Sequence, residues 1–67
     1  MNLFIKLLAS GKHGMVRLQV KDCDEGTILQ DRDIIRSHAE SEVTRLSEGF
    51  LVQRGWRATI EDTVNAL

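Results

Sequence analysis

Hydrophobic and polar side chains alternate in two short segments near the beginning of the chain. The apolar members of this alternation are Leu3, Ile5, Leu7, Ala9, Val16, Leu18 and Val20. A period of two is typical of β-strands that have one buried face. Because paired residues of neighbouring strands share a face, we expect Leu7 opposite Leu18, which leaves residues 11–14 as the connecting loop. The pattern predicts a β-hairpin.

A helical period follows, after a polar turn at residues 22–26 and a short extended segment at residues 27–30. The apolar stripe of the helix consists of Ala39, Val43, Leu46 and Phe50. Two starting points fit this stripe. Asp31 as the N-cap gives a helix of about 22 residues, whereas Ser37 forms a capping box with Glu40 and gives about 17 residues. We predict the start at Ser37, because the shorter helix matches the length of the hairpin strands.

The end of the helix is predicted at Gly55, since glycine readily adopts the left-handed conformation that closes many helices. A Schellman turn at this glycine brings Trp56 onto Leu51. The residues that then alternate with polar neighbours are Trp56, Ala58 and Ile60. This alternation predicts a third strand. Whether Val64 and Leu67 continue the strand or close the core stays open.

The first strand is the best candidate for the centre of the sheet. Phe4 and Leu8 make its second face apolar as well, which suits a strand with a neighbour on each side. We therefore predict a ββαβ element order and a three-stranded antiparallel sheet of order 2-1-3, with the helix on one face. Residues 1–67 are interpreted as a single small α+β domain, because a chain of this length has room for one core.

Composition narrows the expected compartment and partners. The chain has 67 residues and one cysteine, so an internal disulfide is impossible, and we expect a reducing, cytoplasmic location. No apolar stretch approaches the length of a membrane span, and no contact with a membrane is expected. Charge is spread unevenly: residues 1–21 contain four basic residues and no acid, whereas residues 22–33 contain five acids and one arginine.

No residue cluster has the pattern of a catalytic, metal or cofactor site. Residues 22–33 have acids at three ligand positions of a calcium loop, but Thr27 stands where that loop requires glycine. Cys23 with His13 or His38 is a candidate for thiol catalysis, yet nothing in the sequence holds the thiol and an imidazole together. We expect a non-enzymatic protein that uses neither a metal nor another cofactor.

The outward face of the hairpin carries two candidate binding sets. The apolar set indicates contact with a protein or with a second copy of the chain, and it consists of Phe4, Leu8 and Met15. The polar and basic set suits the phosphates and bases of a nucleic acid, and it consists of Lys6, Lys12, Arg17, Gln19 and Lys21. A net charge of −1 and only three aromatic residues weigh against nucleic acid. We therefore favour a binding or regulatory module that contacts a protein through the open sheet face or a sheet edge, with nucleic-acid binding as the alternative.

Overall fold

The structure is a computed structural model that describes residues 2–64. Its fold consists of four strands and one helix. The elements, in chain order, are β1 (Asn2–Ala9), β2 (Met15–Asp22), β3 (Ile28–Ile35), α1 (Ala39–Arg54) and β4 (Arg57–Asp62), with a 3-10 turn (Arg36–His38) leading into α1. The strands make one sheet of order β3-β2-β1-β4. The predicted α+β class is confirmed, and β1 lies beside both β2 and β4 as expected.

The prediction of a three-stranded, all-antiparallel sheet is wrong, because residues 28–35 form an additional strand. β3 pairs antiparallel with β2, and this extra reversal of the chain makes β4 enter the sheet parallel to β1. The middle of β3 consists of polar and charged residues, so it lacks the apolar alternation that identifies a strand in a sequence. As an edge strand it is largely exposed, and burial does not demand apolar residues there.

The predicted hairpin register is confirmed. Leu7 lies opposite Leu18, Ile5 opposite Val20, and Ala9 opposite Val16. Gly11 and Gly14 in the connecting loop have φ angles of 82° and 71°, a region that glycine enters without a Cβ penalty.

The core lies between the sheet and α1. We call the sheet face that α1 covers the inner face, and the opposite face the outer face. The buried core residues are Leu3, Ile5, Leu7, Val16, Leu18, Val20, Ile34, Ala39 and Val43. Leu46, Phe50, Trp56, Ala58 and Val64 are partly buried against this cluster. The predicted stripe of α1 therefore packs on the inner face, and Val64 contributes to the core beyond the end of β4, whereas Leu67 lies outside the described residues.

The start of α1 differs in detail from the prediction. The helix begins at Ala39, two positions after the predicted cap, and it is 16 residues long. Ser37 lies in the 3-10 turn, and no side chain caps either that turn or α1, so the predicted capping box is wrong. Asp31, the other candidate cap, belongs to β3. The chain leaves β3 directly into the 3-10 turn, where the Arg36 N–H donates to the carbonyl oxygen of Gly14 at 2.9 Å.

The end of α1 lies at the predicted glycine. Gly55 has φ 69° and ψ 18°, and its N–H donates to the carbonyl oxygen of Leu51 at 2.9 Å. The Trp56 ring stacks on Phe50, at 5.6 Å between ring centroids, and Trp56 also lines a groove together with Leu51, the residue predicted to meet it. The guanidinium of Arg54 lies over both rings. In residues 2–64, no helix combines the length and apolar character needed to cross a membrane.

Candidate functional site

The outer face of the sheet is an uncovered surface of the fold. α1 packs on the inner face, and among residues 2–64 no element packs on the outer one. Strand parity places on the outer face Phe4, Lys6 and Leu8 from β1, Met15, Arg17, Gln19 and Lys21 from β2, Ile28, Asp31, Asp33 and Ile35 from β3, and Arg57, Thr59 and Glu61 from β4. The predicted binding residues of both strands are therefore on one surface, as expected, and β3 and β4 extend it.

A band of ion pairs crosses the middle of this face. Arg17 donates from Nε to Oδ1 of Asp31 and from Nη2 to Oδ2, each at 2.6 Å. Gln19 Nε2 donates to the same carboxylate at 3.3 Å. At the loop end of the hairpin, Lys12 Nζ lies 3.0 Å from Oδ2 of Asp33. Three of the five residues predicted to contact nucleic acid are thus engaged by the acids of β3.

The Arg17–Asp31 pair changes the proton affinity of both groups. The hydrogen bonds from the Arg17 guanidinium lower the pKa of the Asp31 carboxyl, although partial desolvation acts in the opposite direction. The same hydrogen bonds, together with the negative charge of Asp31, raise the pKa of Arg17. Both groups therefore stay charged at neutral pH, and their charges offset each other on the surface.

Three basic residues that strand parity places on the outer face, Lys6, Lys21 and Arg57, are outside the ion pairs of the described residues, and the two lysines share a concavity. Among the described residues, neither Lys6 nor Lys21 takes part in an ion pair. They line an open concavity of about 400 Å³. The other residues that line it are Phe4, Gln19, Cys23, Gly26 and Ile28. The concavity therefore combines two ammonium groups with an aromatic and an aliphatic side chain.

Apolar side chains lie at both ends of the outer face, on either side of the ion-paired band. At one end, Ile28 lies beside Lys21 in the register and lines the concavity together with Phe4. At the other end, Leu8 lies opposite Arg17, and Met15 lies opposite Ile35. Ile28 and Ile35 are about half-exposed, and the sequence interpretation missed both of them. The sequence feature that could have identified them is an isoleucine at each end of β3, on either side of its charged centre.

The candidate catalytic residues are separated in the fold. Cys23 is exposed in the turn that follows β2, whereas His13 lies in the loop that precedes β2. A strand of this length spans roughly 25 Å. His38 precedes α1, on the side where Arg36 contacts Gly14 in the hairpin loop. Neither histidine can therefore act on the Cys23 thiol within one copy of the chain.

Acidic side chains of residues 22–33 form hydrogen bonds and ion pairs within the fold. Asp22 is buried, and its Oδ1 accepts hydrogen bonds from the N–H groups of Asp24 at 2.9 Å and Glu25 at 3.2 Å. This Asx-type turn connects β2 to β3. Asp31 and Asp33 face the basic residues of the hairpin. Within residues 2–64, no group of three or more histidine, cysteine or acidic side chains is arranged to hold a metal ion.

Comparison of the chain with protein-family models, with curated proteins and with solved structures gave no match.

Proposed function

We propose that this protein is a non-enzymatic binding module whose outer face contacts a protein partner. The observation that carries the proposal is the uncovered four-stranded face with apolar side chains at both of its ends. The predicted residues Phe4, Leu8 and Met15 belong to it, and β3 adds Ile28 and Ile35. Apolar groups rimmed by charge are typical of protein-binding surfaces.

The concavity at one end of the face supports a proposal for the chemistry of the partner. Phe4 and Ile28 offer apolar contact, while Lys6 and Lys21 offer two cations that form no ion pair with the acids of the described residues. A segment that inserts one apolar side chain next to carboxylates satisfies both. We therefore propose an acidic peptide segment with an apolar anchor as the ligand of this concavity.

The ion pairs of β3 reduce the support for nucleic acid. Affinity for nucleic acid depends on cations that displace counterions from phosphates. Arg17 and Lys12 already contact carboxylates, which leaves Lys6 and Lys21 from the predicted basic set.

A single exposed cysteine fits a reducing compartment, and the proposal places the module in the cytoplasm.

A random-peptide display library, selected on the purified protein, tests the proposal. We expect enriched sequences that combine Asp or Glu with a neighbouring aromatic or aliphatic residue. Amide chemical shifts in the protein should change at Phe4, Lys21 and Ile28 when an enriched peptide is added. Lys21→Glu should abolish the enrichment, because it places an acid in the concavity.

The matched control is Arg45→Glu, which makes the same charge change on the exposed side of α1. It should leave the enrichment intact. Absence of enrichment on the wild-type protein, or chemical-shift changes confined to α1, would overturn the proposed function.

A further inference from the structure

The two edges of the sheet differ in how well they are protected against pairing with another strand. β3 and β4 are the edge strands. β3 contains an irregularity, since Lys21 pairs with Ile28 and Val20 with Gln30, which leaves Leu29 unpaired. Bulges and edge charges are common ways to block edge-to-edge contact. β4 follows β1 through six consecutive pairs without a register shift.

Charge also opposes self-pairing at β3. Asp31 and Asp33 point to the same face, two positions apart. An antiparallel pairing of two copies of β3 that is centred on residues 31–33 places an acid opposite an acid. Like charges directly opposite each other in a sheet are destabilising.

The backbone of β4 offers hydrogen-bonding groups to a further strand. The Thr63 N–H donates to the carbonyl oxygen of Leu7 at 3.1 Å, so the backbone groups of odd-numbered residues point toward β1. Backbone direction alternates along a strand. The N–H and C=O groups of Ala58 and Ile60 therefore point to the open side, where an antiparallel strand can bond to both residues.

The outer-face side chains of β4 have a charge order that is complementary to itself. Arg57, Thr59 and Glu61 follow one another on this face. If two copies of β4 pair antiparallel with Thr59 opposite Thr59, each Arg57 lies opposite Glu61 of the other copy. Pairs of opposite charge at such positions stabilise a sheet. Glu61 already lies beside Lys6 of its own chain in the register, so it would sit between two cations.

The same register joins apolar side chains on the inner face. Ala58 lies opposite Ile60 of the other copy, and the backbone groups of this pair are the ones that point outward. Ile60 is 50% exposed and Leu51 is 54% exposed in the single chain. Both line a groove between α1 and β4, together with Trp56 and Ala58. A second copy at the edge continues this groove with its own Ile60 and Leu51.

We propose that β4 pairs antiparallel with β4 of a second copy, with Thr59 on the twofold axis, so that the two sheets become one. The contact is isologous, as most homodimer contacts are. This inference goes beyond the proposed function, because it adds a second copy of the chain as a partner and places it at the β4 edge rather than on the outer face.

Charge exchange across the axis tests the proposal. Sedimentation equilibrium of the wild-type protein should show a dimer that dissociates on dilution. Glu61→Arg and Arg57→Glu each place like charges at both ends of the pairing, and each should raise the dissociation constant at least about tenfold. The exchanged variant, with Arg57→Glu and Glu61→Arg together, should recover the dimer, as should an equimolar mixture of the two single variants.

The recovery in the mixture separates lost pairing from lost folding, since a variant that fails to fold cannot regain partnership. A strictly monomeric wild-type protein, or a dimer that ignores both single variants, would overturn the proposal. A monomer that still enriches acidic peptides with an apolar anchor would overturn the β4 pairing alone and leave the proposed function standing.

Discussion

Arg17 and Asp31 join β2 to β3 on the outer face through two parallel hydrogen bonds of 2.6 Å each. This ion pair connects the basic hairpin of the chain to the acidic segment that follows it. The excess of positive charge in residues 1–21 and the excess of negative charge in residues 22–33 therefore meet on one surface. What remains on that surface outside the ion pairs is Lys6, Lys21, a set of apolar side chains, and Arg57, Thr59 and Glu61 from β4.

Removing the acids of β3 should uncover a basic surface. We expect Asp31→Asn combined with Asp33→Asn to produce measurable binding to duplex DNA at low salt, because Arg17 and Lys12 become free to contact phosphates. The logarithm of the affinity should fall with that of the salt concentration by about 0.9 per phosphate contacted. Fluorescence anisotropy of labelled DNA at two salt concentrations measures both quantities.

The control for this gain is a variant with Glu40→Gln and Glu48→Gln, which changes the net charge equally on the exposed side of α1. It should not acquire the same affinity. Wild-type binding as tight as that of the β3 variant would show that the ion pairs do not mask the basic residues.

The stability of the protein should depend on Asp31 in acid. The folded-state pKa of this carboxyl is lowered below its ordinary value of 3.8 by the hydrogen bonds from Arg17. Its stabilising contribution is therefore complete above pH 3.8 and is lost as the pH falls through the lower, folded-state pKa. Urea midpoints between neutral pH and strong acid should fall less steeply for Asp31→Asn than for the wild type. Equal slopes would contradict this role, and high salt should weaken the effect, because the pair is exposed.

Two glycines of the helical region should respond to alanine in opposite directions. Gly55 has a φ of 69°, and Gly55→Ala should lower the free energy of unfolding by about 1 to 2 kcal/mol. Gly49 has ordinary helical geometry, and Gly49→Ala should raise it by up to about 1 kcal/mol. An added Cβ meets no atom within 4 Å at either position, so conformation alone separates the two. Urea unfolding of both variants provides the comparison, and destabilisation by both changes would contradict it.

The core between the sheet and α1 should be sensitive to lost volume. Leu18 is completely buried, and Leu18→Ala should cost about 2 to 5 kcal/mol through lost burial and the cavity left behind. Val52 on α1 is 84% exposed, and Val52→Ala should change the stability by less than about 0.5 kcal/mol. Trp56 is the single tryptophan of the chain, and its stacking on Phe50 makes its fluorescence a reporter of unfolding. Similar losses of stability in both variants would contradict the conclusion that burial of Leu18 stabilises the sheet.

The hairpin and the end of α1 were predictable because local chemistry determines both. A register slip of one residue would turn Lys6 toward the core, so parity excludes that slip, and the length of the glycine-containing loop does the rest. Gly55 is likewise a local requirement of the left-handed turn. The outer-face positions of Phe4, Leu8 and Met15 follow from the same parity.

β3 was not predictable from apolar periodicity, since its central residues are stabilised by partners in another segment. Asp31 and Asp33 suit a strand here because they form ion pairs with Arg17 and Lys12, respectively. The distribution of charge along the sequence indicates that the basic and acidic segments attract each other, but it does not show which acid pairs with which base. Because β3 was not predicted, the predicted direction of β4 was also wrong. The antiparallel pairing of β3 with β2 reverses the chain direction once more before β4. Ile28 and Ile35 were lost from the candidate site for the same reason.

The parallel pairing of β1 with β4 has a consequence for how the chain folds. β1, β2 and β3 are joined by short connections and are expected to form contacts early, whereas β4 must close a loop that contains almost the whole chain before it reaches β1. Closing longer loops costs more chain entropy, and contacts distant in sequence slow folding. Docking of β4 is thus the natural last step. The β4 edge, which has no register shift, is then created only when the core is complete, and this shortens the time during which an incompletely folded chain can aggregate through it.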